Sequence, residues 1–445
     1  MSRIWRWSLT PPIDGWPADE GALHCRRSLP ARGAPGGSRS MIAYLTHTHP
    51  NYSTTFTQAE LERLDVVPWS LRRPPAGYMT DELRGEIERT RYVRPLPIGR
   101  VIMANLRAAL GLDAVRWWST IVGLTLAAGP NPVEMAKTKL HVLEAVAWGE
   151  QLRRGGYRLV HVQFADSAAT YAHVVARVFG IPYTVAVHAH DIFMRRFPRA
   201  LSRRRIGGAA AIRVISDFNR RWLDEQLGIA PDRCEVIRCG VDPAEFTVSG
   251  PSDHEPPRLL AVGRLVDYKG FGDLLTACGL LRDRGIEFTC RIIGSGPEES
   301  ALAAQLAALG LAGTVELAGV VPHRDIAAEF ARATAFVLPC RVGRGGEMDG
   351  IPVAMMEAMA RGLPVVSTRL TGIPELVRDG ENGLLVEPGD AEALAGALAR
   401  LLVDGHLRTE LGEAARETVV RDYDLDTNTA QLAAMLQRHG ANTHS

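Results

Sequence analysis

Disulfide chemistry, a membrane span and a dominant charge are all missing from this sequence. Cysteine is scarce, and Cys25, Cys234, Cys239, Cys278, Cys290 and Cys340 form no CxxC pair and no histidine-flanked cluster. Neither a disulfide framework nor a zinc site is therefore encoded, and a reducing, cytoplasmic setting is the expectation. No apolar run reaches the roughly 18 to 20 residues of a membrane span. The best candidate, STIVGLTLAAG from Ser119, reads as part of a buried or peripheral helix. Basic and acidic side chains number 51 and 50, and the resulting net charge of +1 selects no partner; no nucleic-acid partner is expected. The first 40 residues lack helical or strand periodicity and the apolar core of a secretory signal. They end in ARGAPGGSRS, and a disordered extension or a start codon assigned too early is the expectation for them.

What is present is ordinary globular composition, 46% apolar and 23% charged, on a chain long enough for two nucleotide-scale domains. From Met41 short apolar runs alternate with helical patterns. MIAYL, VVPWSL, RLVHVQF, YTVAVH, AAIRVIS and CEVIRC read as strands, with a long helical section before RLVHVQF. After the Pro-rich break FTVSGPSDHEPP a second series begins with RLLAVGRL and continues through FTCRIIG, TVELAG, AFVLP, LPVVST and GLLVEP. Alternation of this kind predicts parallel sheets with crossover helices on both faces. The expected class is α/β, two Rossmann-like domains facing across a cleft. Their expected bounds are 41–245 and 258–422, with a linker at 246–257 and a C-terminal helix at 423–445. Ligands should collect on the loops at the carboxyl ends of the strands.

Three such loops carry chemistry. In EMDGIPVAMMEAMARGLPVVST, from Glu347, a Gly-rich loop enters a helix expected to begin at Pro352. The amides of Gly350, Ile351, Pro352's neighbours and Val353 would surround a helix N-terminus, which favours phosphate. Asp349 lies before that helix and Glu357 about one and a half turns inside it. The assignment is Glu357 to a ribose diol and Asp349 to sugar hydroxyls; the competing reading makes Asp349 a helix cap and Glu357 a surface residue. In VGRLVDYKGF, Gly263 precedes Arg264 and Lys269, two cations suited to a diphosphate leaving group, or else two solvated charges. In IIGSGPEESAL, Gly294 and Gly296 stand where backbone would approach a ligand. A tight strand-to-helix turn explains them equally, since the third glycine and distal acid of a dinucleotide fingerprint are missing.

Together these segments resemble the second domain of the GT-B, family 4 retaining glycosyltransferases, whose hallmark is two acids separated by seven residues. The resemblance covers essentially Met41 to the C-terminus. HPNYSTTF with PWSLRRP, VHAHDIF and the Glu347 segment are similar to exopolysaccharide enzymes of the colanic acid type. The resemblance implies that Arg264 and Lys269 bind the donor diphosphate, Asp349 touches the transferred sugar and Glu357 holds the ribose. The family usually has glutamate where Asp349 stands, one methylene longer; Glu347 is near but wrongly spaced to Glu357. In the first domain the resemblance makes His188, at the end of TVAVH, an active-site residue, with His190 and Asp191 on the acceptor side. The family's paired glycines are absent from the first loop, HTHPNYSTTF, where Ser53, Thr54 and Thr55 would cap a helix or bind acceptor or phosphate oxygens.

The implied reaction is transfer from a nucleotide-diphosphate sugar to a glycan or lipid-linked saccharide, by front-face attack with retention and without a metal or other cofactor. Rivals are a nucleotide-sugar epimerase, a nicotinamide-dependent dehydrogenase, and an inactive relative serving as a partner in a polysaccharide assembly complex. The stretch RRFPRALSRRR, Arg195 to Arg205, holds six arginines and no acid. It reads as a solvated helix face or as a contact for an anionic membrane surface or acceptor.

Overall fold

The computed structural model describes residues 41–50, 55–74, 81–194, 198–248, 250–251, 255–321 and 323–441. The expectation for residues 1–40 lies outside them. The first lobe opens with β1 (Ile42–Thr48), α1 (Thr55–Arg63), β2 (Val67–Arg72), α2 (Asp81–Arg89) and β3 (Arg91–Tyr92). Three helices follow, α3 (Ile98–Leu110), α4 (Ala114–Ala127) and α5 (Pro132–Arg154). The lobe is completed by β4 (Leu159–Val162), α6 (Ser167–Phe179), β5 (Tyr183–Val187), α7 (His190–Phe193), α8 (Arg199–Gly207), β6 (Ala211–Val214), α9 (Asp217–Leu227) and β7 (Cys234–Val236).

The second lobe starts with β8 (Arg258–Val262), α10 (Phe271–Asp283), β9 (Thr289–Ile293), α11 (Glu299–Ala308), β10 (Val315–Leu317) and α12 (His323–Ala331). It continues through β11 (Ala335–Val337), α13 (Val353–Ala360), β12 (Val365–Thr368), α14 (Ile373–Leu376), β13 (Leu384–Val386), α15 (Ala391–Val403) and α16 (Gly405–Asp422). A last helix, α17 (Leu425–Ala441), follows.

Every pairing is parallel, in a seven-stranded sheet ordered β3-β2-β1-β4-β5-β6-β7 and a six-stranded sheet ordered β10-β9-β8-β11-β12-β13. The central strands are buried on both faces, which is why β4, β5 and β6 read as nearly unbroken apolar runs rather than alternating ones. Both sheets reverse their winding at the first strand, between β1 and β4 in one and between β8 and β11 in the other. The crevice outside those strand ends is where a doubly wound sheet takes its ligand. The expected class, two Rossmann-like lobes, is the class observed.

Inside the first lobe a charged group lies in the core. Arg213 on β6 is 1% exposed and pairs with Glu60 on α1 at 2.7 Å. Glu60 also accepts from the Tyr44 hydroxyl (2.9 Å) and the Gln163 side chain (3.1 Å), and Arg213 donates to the Ile237 carbonyl (2.9 Å). Such a pair tolerates burial because its carboxylate and most of its guanidinium donors are met by partners, although Arg213 Nη1 has none. It fastens α1 to β1, β4 and β6 beneath the first switch point.

Three features depart from the sequence reading. The helical section before β4 is preceded by a short extra pair, α2 and β3, whose two-residue strand is too brief to show a period. The helix expected at Pro352 begins at Val353, with Pro352 as its extended N-cap. Finally, α17 starts at Leu425 and packs back on the first lobe, where Leu432, Met435 and Leu436 are buried with Tyr44 and Leu159. The chain thus crosses between lobes twice, and the two crossings run side by side: Val241 donates to the Tyr423 carbonyl and accepts from the Leu425 amide, both at 3.0 Å. Within the expected linker, residues 249 and 252–254 lie outside the described residues. Phe246, however, lies under the Arg361 guanidinium at 4.3 Å, and Gly250 donates to the Arg361 carbonyl at 3.1 Å.

Candidate active site

At the second switch point the loop after β8 meets the loop after β11. Lys269 ends a short turn, Asp267–Lys269, and Asp349 comes from the long loop between β11 and α13. Their side chains meet at 2.7 Å, with the Cys340 thiol also donating to the same Asp349 oxygen at 3.4 Å. What allows the approach is Gly270, at φ 74°: a Cβ there would lie 1.8 Å from the Pro339 carbonyl oxygen. Only glycine fits both that conformation and that contact. Burial alone would lower the Lys269 ammonium. The Asp349 carboxylate, helped by Cys340 and Tyr268, outweighs it and holds the pKa above the ordinary lysine value. Lys269 is thus a fully charged, half-buried cation. Arg264 is exposed at the mouth of the same loop.

The Asp349 loop is held from behind by Thr371, whose hydroxyl lies 2.6 Å from the Asp349 carbonyl and 2.9 Å from that of Gly350. Thr371 has φ 49°, the one non-glycine residue with positive φ among the described residues. Strain of about 1–3 kcal/mol is typical of such a position and persists where the surroundings over-determine it. The competing helix-cap reading of Asp349 does not hold, because α13 has no side-chain cap. Val353 and Ala354 open α13 with amides free of intrahelical partners, as a helix start requires. Glu357 lies half-buried one turn in. Glu347 accepts from the Gly345 amide at 2.9 Å, an interaction within its own loop. It is therefore not a second copy of Asp349.

Gly263 ends β8 and faces the Lys269 side chain, with a Cβ position 3.6 Å from Lys269 Cε. Gly294 and Gly296 sit against backbone of the loop after β8: Cβ atoms would lie 1.9 Å from the Gly263 oxygen and 2.3 Å from that of Leu265. The geometry requires glycine there for contact between two protein loops, so these two residues shape the site from underneath.

From the first lobe, the end of β5 closes over the site. A Cβ on Gly350 would lie 2.9 Å from Ile215 and 3.4 Å from both Ala189 and the His188 carbonyl oxygen. The loop bearing Asp349 therefore touches the loop bearing His188. The His188 ring is 6% exposed, packed between Phe56 and Phe164 at centroid distances of 5.1 and 4.7 Å, with Nδ1 3.7 Å from Cys239 Sγ. Burial, then Arg213 and His161, push its pKa well below the usual histidine value, so the ring is neutral. Its carbonyl accepts from the Asn219 side chain. Asp191 is buried and accepts from the amides of Ala165 (2.9 Å) and His188 (3.1 Å). Burial raises its carboxyl to about 6, against the pull of those amides. Asp191 thus positions the ends of β4 and β5, while His190 is exposed at the start of α7. Ser53 and Thr54 lie outside the described residues; Thr55 opens α1, and its side chain is outside them too.

Several residues at the site escaped the sequence reading. Besides Thr371 and Cys340, these are His47, with Nδ1 2.8 Å from Ser167 Oγ and 3.7 Å from Asp166 at the first switch point, and Glu375. The carboxylate of Glu375, in the second lobe, accepts from the amides of Asp217 (3.0 Å) and Phe218 (2.8 Å) at the start of α9. It also faces Arg238 at 3.3 Å. None stands in a recognisable spacing; only the signal of a post-strand position was available for His47 and Asp166.

Two doubly wound parallel sheets, with a cation and a carboxylate joined at the second switch point under the strand ends of the first lobe, define the GT-B class of glycosyltransferase. The sequence pattern described as glycosyl transferases group 1 matches residues 244–418, and that of glycosyltransferase family 4 matches residues 119–245. The amylovoran biosynthesis glycosyltransferase AmsK of Erwinia amylovora is 34% identical over 63% of this chain and 69% of its own length. The chain belongs to this glycosyltransferase family.

WcaL of Salmonella typhimurium, a provisional colanic acid biosynthesis glycosyltransferase, is 39% identical over 48% of this chain, a match spanning about half (53%) of that relative. A GDP-mannose-dependent alpha-(1-6)-phosphatidylinositol monomannoside mannosyltransferase of Mycobacterium tuberculosis is 31% identical over 59% of this chain and 71% of its own. Among solved structures, Anabaena HepE in complex with UDP superposes with a TM-score of 0.67 at 17% identity, covering 89% of this chain and 99% of that one. The likeness to HepE is one of fold.

Proposed function

We propose that the protein is a retaining glycosyltransferase that moves a sugar from a nucleotide-diphosphate donor to a glycan or lipid-linked saccharide in exopolysaccharide biosynthesis. The observation that carries this reading is the Lys269–Asp349 contact at the second switch point, beneath the His188 strand end. In this reading the donor diphosphate displaces Asp349 from Lys269 and is bound by that ammonium, by Arg264 and by the amides opening α13. Glu357 takes the ribose diol, and Asp349, released, accepts from sugar hydroxyls. The acceptor hydroxyl attacks on the face from which the diphosphate departs. Its proton passes to a phosphate oxygen as the glycosidic bond to the diphosphate breaks, so configuration is retained. Fixed cations aimed at the departing phosphate supply the stabilisation such a step needs. His188, neutral and enclosed, contributes shape and its backbone carbonyl rather than proton transfer.

The GDP-mannose on which the mycobacterial mannosyltransferase depends, and the UDP-glucose bound in the HepE complex, set the panel for testing. The acceptor side is expected at the cytoplasmic face of a membrane, with the protein peripheral to it. Among the described residues no helix is long and apolar enough to cross a membrane.

Release of nucleoside diphosphate from UDP-, GDP- and ADP-sugars, with EDTA present, tests the reading. Release from one donor, lost in Lys269→Ala and Glu357→Ala, supports it. No release from any donor, with no donor binding by calorimetry, sinks it in favour of an inactive partner protein.

A further inference from the structure

The helices α3 and α4 form a hairpin whose outward face is apolar. On α3, Ile98, Ile102, Leu106 and Leu110 recur every four residues and are 48–82% exposed. On α4, Val115, Trp118, Val122 and Leu126 recur every three or four residues and are 51–81% exposed. Scattered exposed apolar residues are normal, but a continuous stripe on two adjacent helices is not. The stripe is not a core face turned outward, because the inner faces are already occupied. Asn105 donates to the Leu143 carbonyl on α5 (2.9 Å) and accepts from Trp117 Nε1 (2.9 Å), while Ala104, Ala108 and Leu124 are buried. A surface helix of a globular protein keeps its second face polar; these two do not.

Charge decides what covers the stripe. The hairpin carries Arg100, Arg107 and Arg116 against a single acid, Asp113, which lies 3.8 Å from Arg153; Arg107 is paired with Glu150 on α5 at 2.7 Å, which leaves Arg100 and Arg116 as its basic charge. Beside α4 runs α8, from Arg199, with no acid in it. The Arg204 guanidinium reaches α4, 3.1 Å from a Cβ position on Gly123, while Arg203 is exposed with its guanidinium 3.7 Å from a Cβ position on Gly228 at the end of α9, and Arg205 is buried. Of the arginine run singled out in the sequence, Arg195 and Arg196 lie outside the described residues, and Arg204 on α8 rims the apolar hairpin. A second copy of the chain seated here would bring two basic rims together, whereas an anionic leaflet complements the rim and accepts the stripe. An exposed tryptophan within the stripe suits the headgroup region.

We infer that the α3–α4 hairpin enters the headgroup and acyl boundary of an anionic membrane, with the exposed arginines of α8 on its lipid phosphates. This surface deepens the membrane reading proposed above and is measured without donor or acceptor, so its failure leaves the transferase reading standing. It also gives α8, which follows the His188 loop in the chain, a reason to be basic that catalysis does not supply.

The experiment is co-sedimentation of the full chain with vesicles of phosphatidylcholine alone and of phosphatidylcholine with phosphatidylglycerol. Binding is expected to the anionic vesicles, to weaken as salt rises, and to fall at least tenfold in Leu106→Asp/Val122→Asp and in Arg203→Glu/Arg204→Glu. Circular dichroism and nucleoside diphosphate release should be unchanged in both variants, whose altered side chains are exposed. Lipids brominated along the chain should quench tryptophan emission, and less so in Trp118→Phe. The inference is overturned if the wild type ignores anionic vesicles, if the Leu106/Val122 variant binds them equally, or if quenching is indifferent to Trp118. It is likewise overturned if light scattering finds a dimer that the Leu106/Val122 variant dissolves, which would assign the stripe to a second copy.

Discussion

Lys269 and Asp349 bind each other at 2.7 Å, and that pairing makes their roles separable. If Lys269 serves the leaving group as proposed, Lys269→Ala removes a half-buried cation from it, and kcat/KM for the donor should fall about 100-fold or more, as for other lost transition-state contacts. Asp349→Asn removes the charge that neutralises Lys269 while keeping the side-chain shape. Turnover of the donor sugar should drop about tenfold or more, yet calorimetry should find nucleoside diphosphate bound at least as tightly as by the wild type. If diphosphate affinity falls as well, Asp349 serves to place Lys269 and not to grip the sugar. The pair of acids was legible in the sequence because one spacing fixes their heights on a loop and a helix. The contact with Lys269 was not, since it joins residues eighty positions apart through loops whose meeting depends on the Gly270–Pro339 packing.

Elements hold the site at joints that tolerate little. In Gly270→Ala a methyl would lie 1.8 Å from the Pro339 oxygen at a left-handed φ, so stability should fall by at least about 2 kcal/mol in urea titration. Donor binding should fall with it, because the loop must move away from β11. Glu375 acts between elements of opposite lobes. Glu375→Ala leaves the amides of Asp217 and Phe218 without their carboxylate, and hydrogen exchange at those two amides should accelerate while exchange in the central strands stays as it was. Unchanged exchange there would show that α9 is held by the remaining packing alone. The α14 segment bearing Glu375 was not singled out in the sequence: TGIPELV carries no spacing that distinguishes an inter-lobe clamp from an exposed helix acid. Strand identities were readable for the opposite reason, since burial on both faces writes itself into consecutive apolar residues.

For the whole molecule the buried histidines set the response to acid. Burial, and then a nearby arginine in each case, lower His141 and His161 to about 3 and His173 to about 4. Below about pH 6.5 the unfolded chain takes up protons at these rings and the folded chain does not. Stability from this source is therefore complete above that pH and is lost progressively as pH falls toward 4 and 3. Asp191 works the other way: its carboxyl, raised to about 6 by burial, protonates first in the folded state and adds stability as pH falls from 6 to about 4. With His188, whose ring burial likewise holds below the usual histidine value, four groups outweigh one, so the urea midpoint should fall between pH 7 and pH 5, and His161→Gln should flatten that fall. A midpoint that rises or stays level over this range would mean that the rings are charged in the folded protein.

The sequence by itself determined that two α/β lobes follow one another, where most strands end, and which residues stand on the loops beyond those ends. These properties are local: the period of apolar residues and the placing of Gly and Pro act within a few turns of chain. Tertiary structure alone decided that α17 returns to the first lobe, that His188 is enclosed between Phe56 and Phe164 rather than set open to the cleft, and that Thr371 and Glu375 brace the meeting loops. It also decided that the apolar stripe of α3 and α4 faces outward. An apolar residue on a helix looks the same in sequence whether it meets a neighbouring element, a membrane or water, because only the arrangement of the other elements fixes which of these lies against it.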